Sequence, residues 1–241
     1  MNFDYKTGAL NLSSSSKQGL DDVFAIDPLL IKSINISKVL YIKHFDFSGM
    51  VNLTFIHISS MGGIGTVDLS NNINLKHISF YKCKSLYEII LPENNMIYHI
   101  NISKCYLKEF YIESDHLKEL QLRNNLLTNI DISKCPLLSS LNLDGNYLTS
   151  IDLKDLKYLK HLTISNNRVE GVLDLHNNHN ISNMHINDNY IEHIWFSNYV
   201  QHIDSGASCN NNLETFGASR LLSSARKKFE LKKMILTIEK L

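Results

Sequence analysis

The stretch Leu117–Asn146, LKELQLRNNLLTNIDISKCPLLSSLNLDGN, constrains this chain more than any other. Leu117, Leu120, Leu122, Asn125 and Leu127 spell LxxLxLxxNxL, and Leu138, Leu141, Leu143, Asn146 and Leu148 spell it again 21 residues later. A fixed period of this size marks a chain of stacked units, each too small to bury its own apolar face. The units open at Ile31, Leu53, Leu75, Ile97, Leu117, Leu138, Leu159 and Ile181, in steps of 22, 22, 22, 20, 21, 21 and 22 residues. The fourth and sixth positions of each are also apolar, from Ile34/Ile36 and Ile56/Ile58 to Leu162/Ile164 and Met184/Ile186. Val200 and Ile203 read as the start of a truncated ninth unit. Alternation inside each LxL predicts a short strand with one face inward and one outward, and stacking sets these strands side by side in a parallel sheet.

The ninth position of each unit serves the turn that leaves the strand. It reads Val39, Met61, Cys83, Cys105, Asn125, Asn146, Asn167 and Asn189. An asparagine there offers both donors and an acceptor to backbone groups of its own and the adjacent coil, so the second half of the chain carries a ladder. Cys83 and Cys105 stack on adjacent coils, about 4.7–4.9 Å apart by strand spacing. Two buried thiols are the preferred reading and a disulfide the alternative. The second half of each unit repeats a shorter motif, as in Phe45/Phe47, Val67/Leu69, Ile130/Ile132 and Ile151/Leu153, with aspartate between the pair at Asp46, Asp68, Asp131, Asp152 and Asp174. Period-two alternation over three residues argues for a strand there, and the units are too short for several helical turns.

These motifs resemble the leucine-rich-repeat family, in the short-repeat bacterial form that includes internalin-like and gut-bacterial members. The resemblance implies a β-rich, right-handed solenoid with a parallel concave sheet and short strands on the convex side. Residues 1–30 read as an N-terminal cap. In it, Asn2–Tyr5 and Ala9–Leu12 form a hairpin around Lys6-Thr7-Gly8, Ser13–Ser16 is a join, and Gly19–Asp27 is a short helix ending before Pro28. Residues 31–204 are the solenoid, eight repeats and a partial ninth. Residues 205–241 are a polar loop followed by a C-terminal helix from Ser219 that covers the last coil. Segment 217–241 carries seven basic and two acidic residues, so a basic tail offsets an acidic solenoid in a chain with 24 residues of each sign. Pairing of that tail with another chain or with the acidic solenoid, or binding to anionic lipid, is the alternative to capping.

Zero net charge supplies no global field toward nucleic acid. No window approaches 18 uncharged apolar residues, so no membrane span is expected. The N-terminus lacks a signal-peptide pattern, and four cysteines without one are weak grounds for disulfides. A cytoplasmic location is expected, or export by a route without a recognisable signal peptide, and a monomer.

The outward positions of the strands form the face on which the resemblance places binding. The candidate contact residues are Phe55, His57, His77, His99, Asn101, Glu119, Gln121, Arg123, Asn142, His161 and His185. His77 and His99 fall side by side, with His57 diagonal to them. Such a cluster could ligate zinc or sense pH, but it lacks an evident third fixed ligand, so a polar binding face without metal is preferred. No nucleophile elbow, Walker loop, HExxH or CxxC pair is present. Gly62-Gly63-Ile64-Gly65 follows a strand but opens no helix, and Cys135 before Pro136 has no histidine at a fixed spacing. The expectation is therefore a non-enzymatic module without cofactor that binds a protein or peptide. The alternative is an exported bacterial effector or surface adhesin acting on a host protein.

Overall fold

The structure, a computed structural model, describes residues 2–13, 26–39, 45–196, 204–205, 211–212 and 215–217. Its main feature is one long sheet. The strands are β1 (Asn2–Asp4), β2 (Ala9–Ser13), β3 (Ser33–Ser37), β4 (Phe55–Ser59), β5 (Thr66–Asp68), β6 (His77–Tyr81), β7 (Glu88–Ile90), β8 (His99–Ser103), β9 (Glu119–Gln121), β10 (Ser140–Asn142), β11 (His161–Thr163), β12 (Glu170–Leu175), β13 (Asn183–His185), β14 (Tyr190–Phe196), β15 (Asp204–Ser205) and β16 (Thr215–Gly217). The long sheet runs β1-β2-β3-β4-β6-β8-β9-β10-β11-β13-β15. Only β1 and β2 are antiparallel; every later neighbour is parallel. The other side holds two small parallel sheets, β5-β7 and β12-β14-β16, and a bridge between Tyr111 and Asp131.

The inward residues explain the stacking. Ile34, Ile56, Ile78, Ile100, Leu120, Leu141, Leu162 and Met184 stand opposite one another in register, each 1% exposed or less. Each coil thus presents its apolar row to the next, which is how a solenoid builds a continuous core from short units. The hairpin expected around Lys6-Thr7-Gly8 is present. Gly8 has φ of +71°, and a Cβ there would lie 2.5 Å from the Leu30 carbonyl oxygen. Its second strand also enters the long sheet: Leu10 and Leu12 stand opposite Ile34 and Ile36 and extend the same buried rows. Pro28–Leu30 form a 3-10 turn capped by Asp27, which accepts from the Leu29 N–H at 3.0 Å. That turn begins where the expected helix was to end: Ile26 and Asp27 are not helical, while 19–25 and most of the Ser13–Ser16 join lie outside the described residues.

The asparagine ladder is real and doubly bonded. Asn146 Nδ2 donates to the carbonyls of Leu122 (3.0 Å) and Leu143 (2.9 Å), while its Oδ1 accepts from the Leu127 N–H (3.2 Å). Asn125, Asn167 and Asn189 repeat this pattern. Each intervening carbonyl therefore receives one asparagine from its own coil and one from the next. In the first half the ninth position is apolar and buried at Val39 and Met61 or held by a thiol: Cys83 donates to Ile58 and Cys105 to Phe80, at 3.7 and 3.8 Å. Both thiols are free, as is Cys135. Its hydrogen bond with Cys83, and then burial, push Cys105 far above the usual thiol range. Burial pushes Cys135 up to about 11, so it is a poor nucleophile.

The aspartates between the apolar pairs also have a local task. Asp46, Asp68, Asp131, Asp152 and Asp174 each accept from the N–H two residues on, closing a turn at 2.8–3.1 Å. A second set of buried turn residues stands three places before several of the units open. There Asn72 donates to Phe47 and Met50, Asn178 to Leu153 and Leu156, and the Cys135 thiol to Ile112. Gly62-Gly63-Ile64-Gly65 leads into strand β5 and opens no helix.

The repeat runs further than the sequence reading placed it. β15 pairs Asp204 with Asn183 and Ser205 with Met184, so the register differs by two residues from one in which Ile203 matches Met184. Asp204 thereby takes the register position of Asn183 in the next coil. Asn211, assigned to a polar loop, is the next rung of the ladder. It donates to the Ile186 carbonyl (2.8 Å) and accepts from Ile191 (3.1 Å). β16 then pairs with β14. Asn211 lies 22 residues after Asn189, so the turn pattern persists where the leucine pattern has decayed. Val200, Ile203, His202 and the helix expected from Ser219 to Leu241 lie outside the described residues.

Candidate functional site

Parallel register sorts the outward side chains into columns. The first runs Phe55, His77, His99, Glu119, Ser140, His161, Asn183. The second runs His57, Ser79, Asn101, Gln121, Asn142, Thr163, His185. The longer strands end on a third column, Ser59, Tyr81 and Ser103, which Arg123 continues just past β9; its carbonyl accepts from the Lys104 N–H at 3.0 Å.

The structure brings four of the eleven candidate residues, Phe55, His77, His99 and Glu119, into one chain of contacts, and His57 bonds Ser79 in the neighbouring column. The Phe55 and His77 rings lie 6.0 Å apart, and the His77 and His99 rings 5.6 Å. The His99 Nδ1–H donates to Glu119 Oε2 at 2.9 Å, and His57 shares a 2.9 Å hydrogen bond with Ser79. The sequence reading missed Tyr98, which precedes β8. Its ring packs edge-on to His77 at 4.3 Å and its hydroxyl is hydrogen-bonded to His77 Nε2. Phe55 and Tyr98 are each 38% exposed, large aromatic surface open to solvent.

The other candidates stand apart from this patch. Asn101 accepts from the Ser103 hydroxyl and Asn142 from the Asp144 N–H, so both are engaged in shaping their own strand ends. Gln121 is half-buried between them. Arg123 lies just beyond β9 at the strand-end edge. His161 is three strands from His99, roughly 14 Å at ordinary strand spacing, and His185 is one strand further. Among the described residues, no three His, Cys, Asp or Glu side chains converge to hold a metal ion. Among them too, no helix is long and apolar enough to cross a membrane.

Burial holds the imidazoles of His57 and His77 below the usual histidine range; at His77 the neighbouring His99 adds to this and Glu119 opposes it. Between the ordinary value near 6.5 and the lowered folded values, the unfolded chain binds more protons, so stability falls as pH falls through that window. Thermal melts between about pH 7.5 and pH 5 should show this decline, and a His57→Gln/His77→Gln variant should show a shallower one. An unchanged slope would remove these two groups from the account.

A cavity of about 690 Å³ opens on the other side, lined by Pro92, Asn95, Tyr111, Glu113 and Asp115 among others. It lies where a 22-residue unit meets the 20-residue one. Its Glu113 already accepts from Tyr111 and pairs with Lys134 at 3.6 Å.

The repeated parallel strands, the asparagine ladder and the β-rich outer side together define a leucine-rich-repeat fold. Solved structures of this fold are similar. The functional domain of InlJ from Listeria monocytogenes has a TM-score of 0.59 and 14% identity, over 87% of this chain and 55% of that one. The internalin InlF of the same organism gives 0.56 and 16%, over 89% and 64%. A chain of the LRIM1/APL1C complex gives 0.51 and 16%, over 85% and 47%. The chain spans less than two thirds of the length of each, and the likeness is one of fold. No protein-family model and no curated protein sequence matches the chain.

Proposed function

We propose that the chain is a non-enzymatic recognition module that holds a protein or peptide on the long sheet, centred on Phe55, His77, Tyr98, His99 and Glu119. The exposed aromatic–histidine patch, built across β4, β6 and β8 and joined to β9, carries this reading. Rings fixed on a hydrogen-bonded sheet offer contact area at low conformational entropy, the property that makes aromatic residues dominate protein interfaces. A similar chain takes part in the LRIM1/APL1C complex, which fits a fold used for association. Recovery of a bound protein from a lysate of the source cells, by immobilised chain, tests the reading. Replacing His77, His99 and Glu119 by alanine should lower recovery at least about tenfold, equal to about 1.4 kcal/mol. A Tyr111→Ser variant on the other side should not. Equal recovery by the face variant sinks the proposal.

A further inference from the structure

In the long sheet, the chain leaves β3, β4, β6, β8, β9, β10, β11 and β13 through a residue with positive φ. These residues are Lys38 (55°), Ser60 (53°), Lys82 (57°), Lys104 (57°), Asn124 (54°), Gly145 (67°), Asn166 (55°) and Asp188 (55°). Glycine, asparagine and aspartate occupy this conformation most readily, and the later coils use them. Lysine has no such advantage, yet it holds the place in two adjacent coils of the centre. Among the described residues no carboxylate pairs with Lys82, Lys104 or Arg123. Both ammonium groups instead lie near the ring of Tyr81, 5.3 and 5.6 Å from its centre. A hydrogen bond from Lys104, then the charges of Lys104, Lys82 and Arg123, hold the phenol of half-buried Tyr81 below its ordinary range. Three like charges gathered round one phenol repel one another and attract an outside anion.

We infer that this edge, Tyr81 with Lys82, Lys104 and Arg123, receives an acidic segment of the bound protein. The inference rests on the sheet face being a protein-binding surface and adds the chemistry of what it binds. Tyr81 follows His77 by four residues on β6, about 13 Å along the strand. An extended segment of four or five residues therefore reaches from the aromatic patch to the cations. The positive track is short. It crosses the coils of β6, β8 and β9, about 10 Å, and ends where Asp144 follows in the next coil. That length suits two or three carboxylates rather than a run of nucleic-acid phosphates.

A phage-displayed library of random dodecapeptides, selected on the intact chain, tests this. Selected peptides should be rich in Asp and Glu. The best of them, made synthetically, should bind at least about tenfold more weakly to a Lys82→Asn/Lys104→Asn/Arg123→Gln variant, with a smaller dependence on salt. Asparagine suits the positive-φ turn, so this variant should melt no lower than the natural chain. A lower melting temperature would show that the lysines serve the turn and would overturn the inference. Selected peptides that lack acids, bind the edge variant equally, and are lost on the His77/His99/Glu119 alanine variant would overturn the acidic segment but keep the face. Peptides indifferent to both variants, or no selection at all, would overturn both. Inorganic sulfate or a single-stranded DNA oligonucleotide that binds as tightly as the peptide would reassign the edge to a small anion or to nucleic acid and overturn it.

Discussion

Changing Asn146 to aspartate, one atom group in a buried turn, is expected to destabilise the chain more than changing it to alanine at pH 7. Asn146 is 4% exposed and supplies three hydrogen bonds. Alanine leaves the Leu127 N–H without its acceptor, whereas the carbonyls of Leu122 and Leu143 each keep the donor from Asn125 or Asn167. One orphaned buried donor, two lost bonds and a small void together cost about 2–4 kcal/mol. Aspartate retains the acceptor for Leu127 but turns a charged oxygen toward two carbonyls, and an uncompensated buried charge costs about 3–5 kcal/mol. Its pKa in the folded chain must then lie above the unfolded value near 3.9. In that window the folded chain holds more protons, so stability falls as pH rises from about 4 through the raised pKa. Urea denaturation at pH 4 and pH 7 should find this variant nearest the natural chain in acid. Asn146→Cys, which copies Cys83 and Cys105, retains a weak donor and should fall between the natural chain and alanine. Equal stability of the aspartate variant and the natural chain at pH 7 would show that the rung carries no strain-bearing bonds.

The sequence made the ladder legible because a repeat prints its buried turn residues at a fixed spacing. The same logic placed His77 beside His99, since parallel register turns sequence period into spatial neighbours. It stopped where the cue was apolar. Past Ile186 the leucines thin out, and Asn211 has only polar neighbours to mark it although it falls 22 residues after Asn189. Other parts depend on geometry that single residues do not announce. Tyr98 lies one place outside the outward columns and joins the patch only because its ring folds back over His77. The positive φ of Lys82 and Lys104 belongs to the turn, and a lysine on a surface edge reads as solvation until that turn is seen. The aspartates of the second motif were visible as a pattern, but their role as turn acceptors appeared only with the backbone.

The second large effect belongs to the core. Leu141 is 1% exposed at the centre of β10 and stands between Leu120 and Leu162. Leu141→Ala should cost about 3–5 kcal/mol, the transfer of the lost methyl groups plus the void they leave. In a globular core such a loss would spread over the whole domain. Here each coil touches only its neighbours, so the lesion weakens two interfaces and leaves the others intact. The two halves also differ in their sheet. β3, β4, β6 and β8 pair over five residues, while β9, β10 and β11 pair over three. The centre thus has fewer bonds with which to bridge a defect. Hydrogen exchange followed by mass spectrometry should show protection lost first across 117–165 in Leu141→Ala, with 33–103 outlasting it. Leu10→Ala, in a strand near the end of the sheet, should fray only 2–13 and its contacts with β3. A uniform loss of protection in every strand of the Leu141 variant would mean that the coils unfold as one unit. The binding face would then be only as rigid as the whole chain, instead of being held locally by β4, β6 and β8.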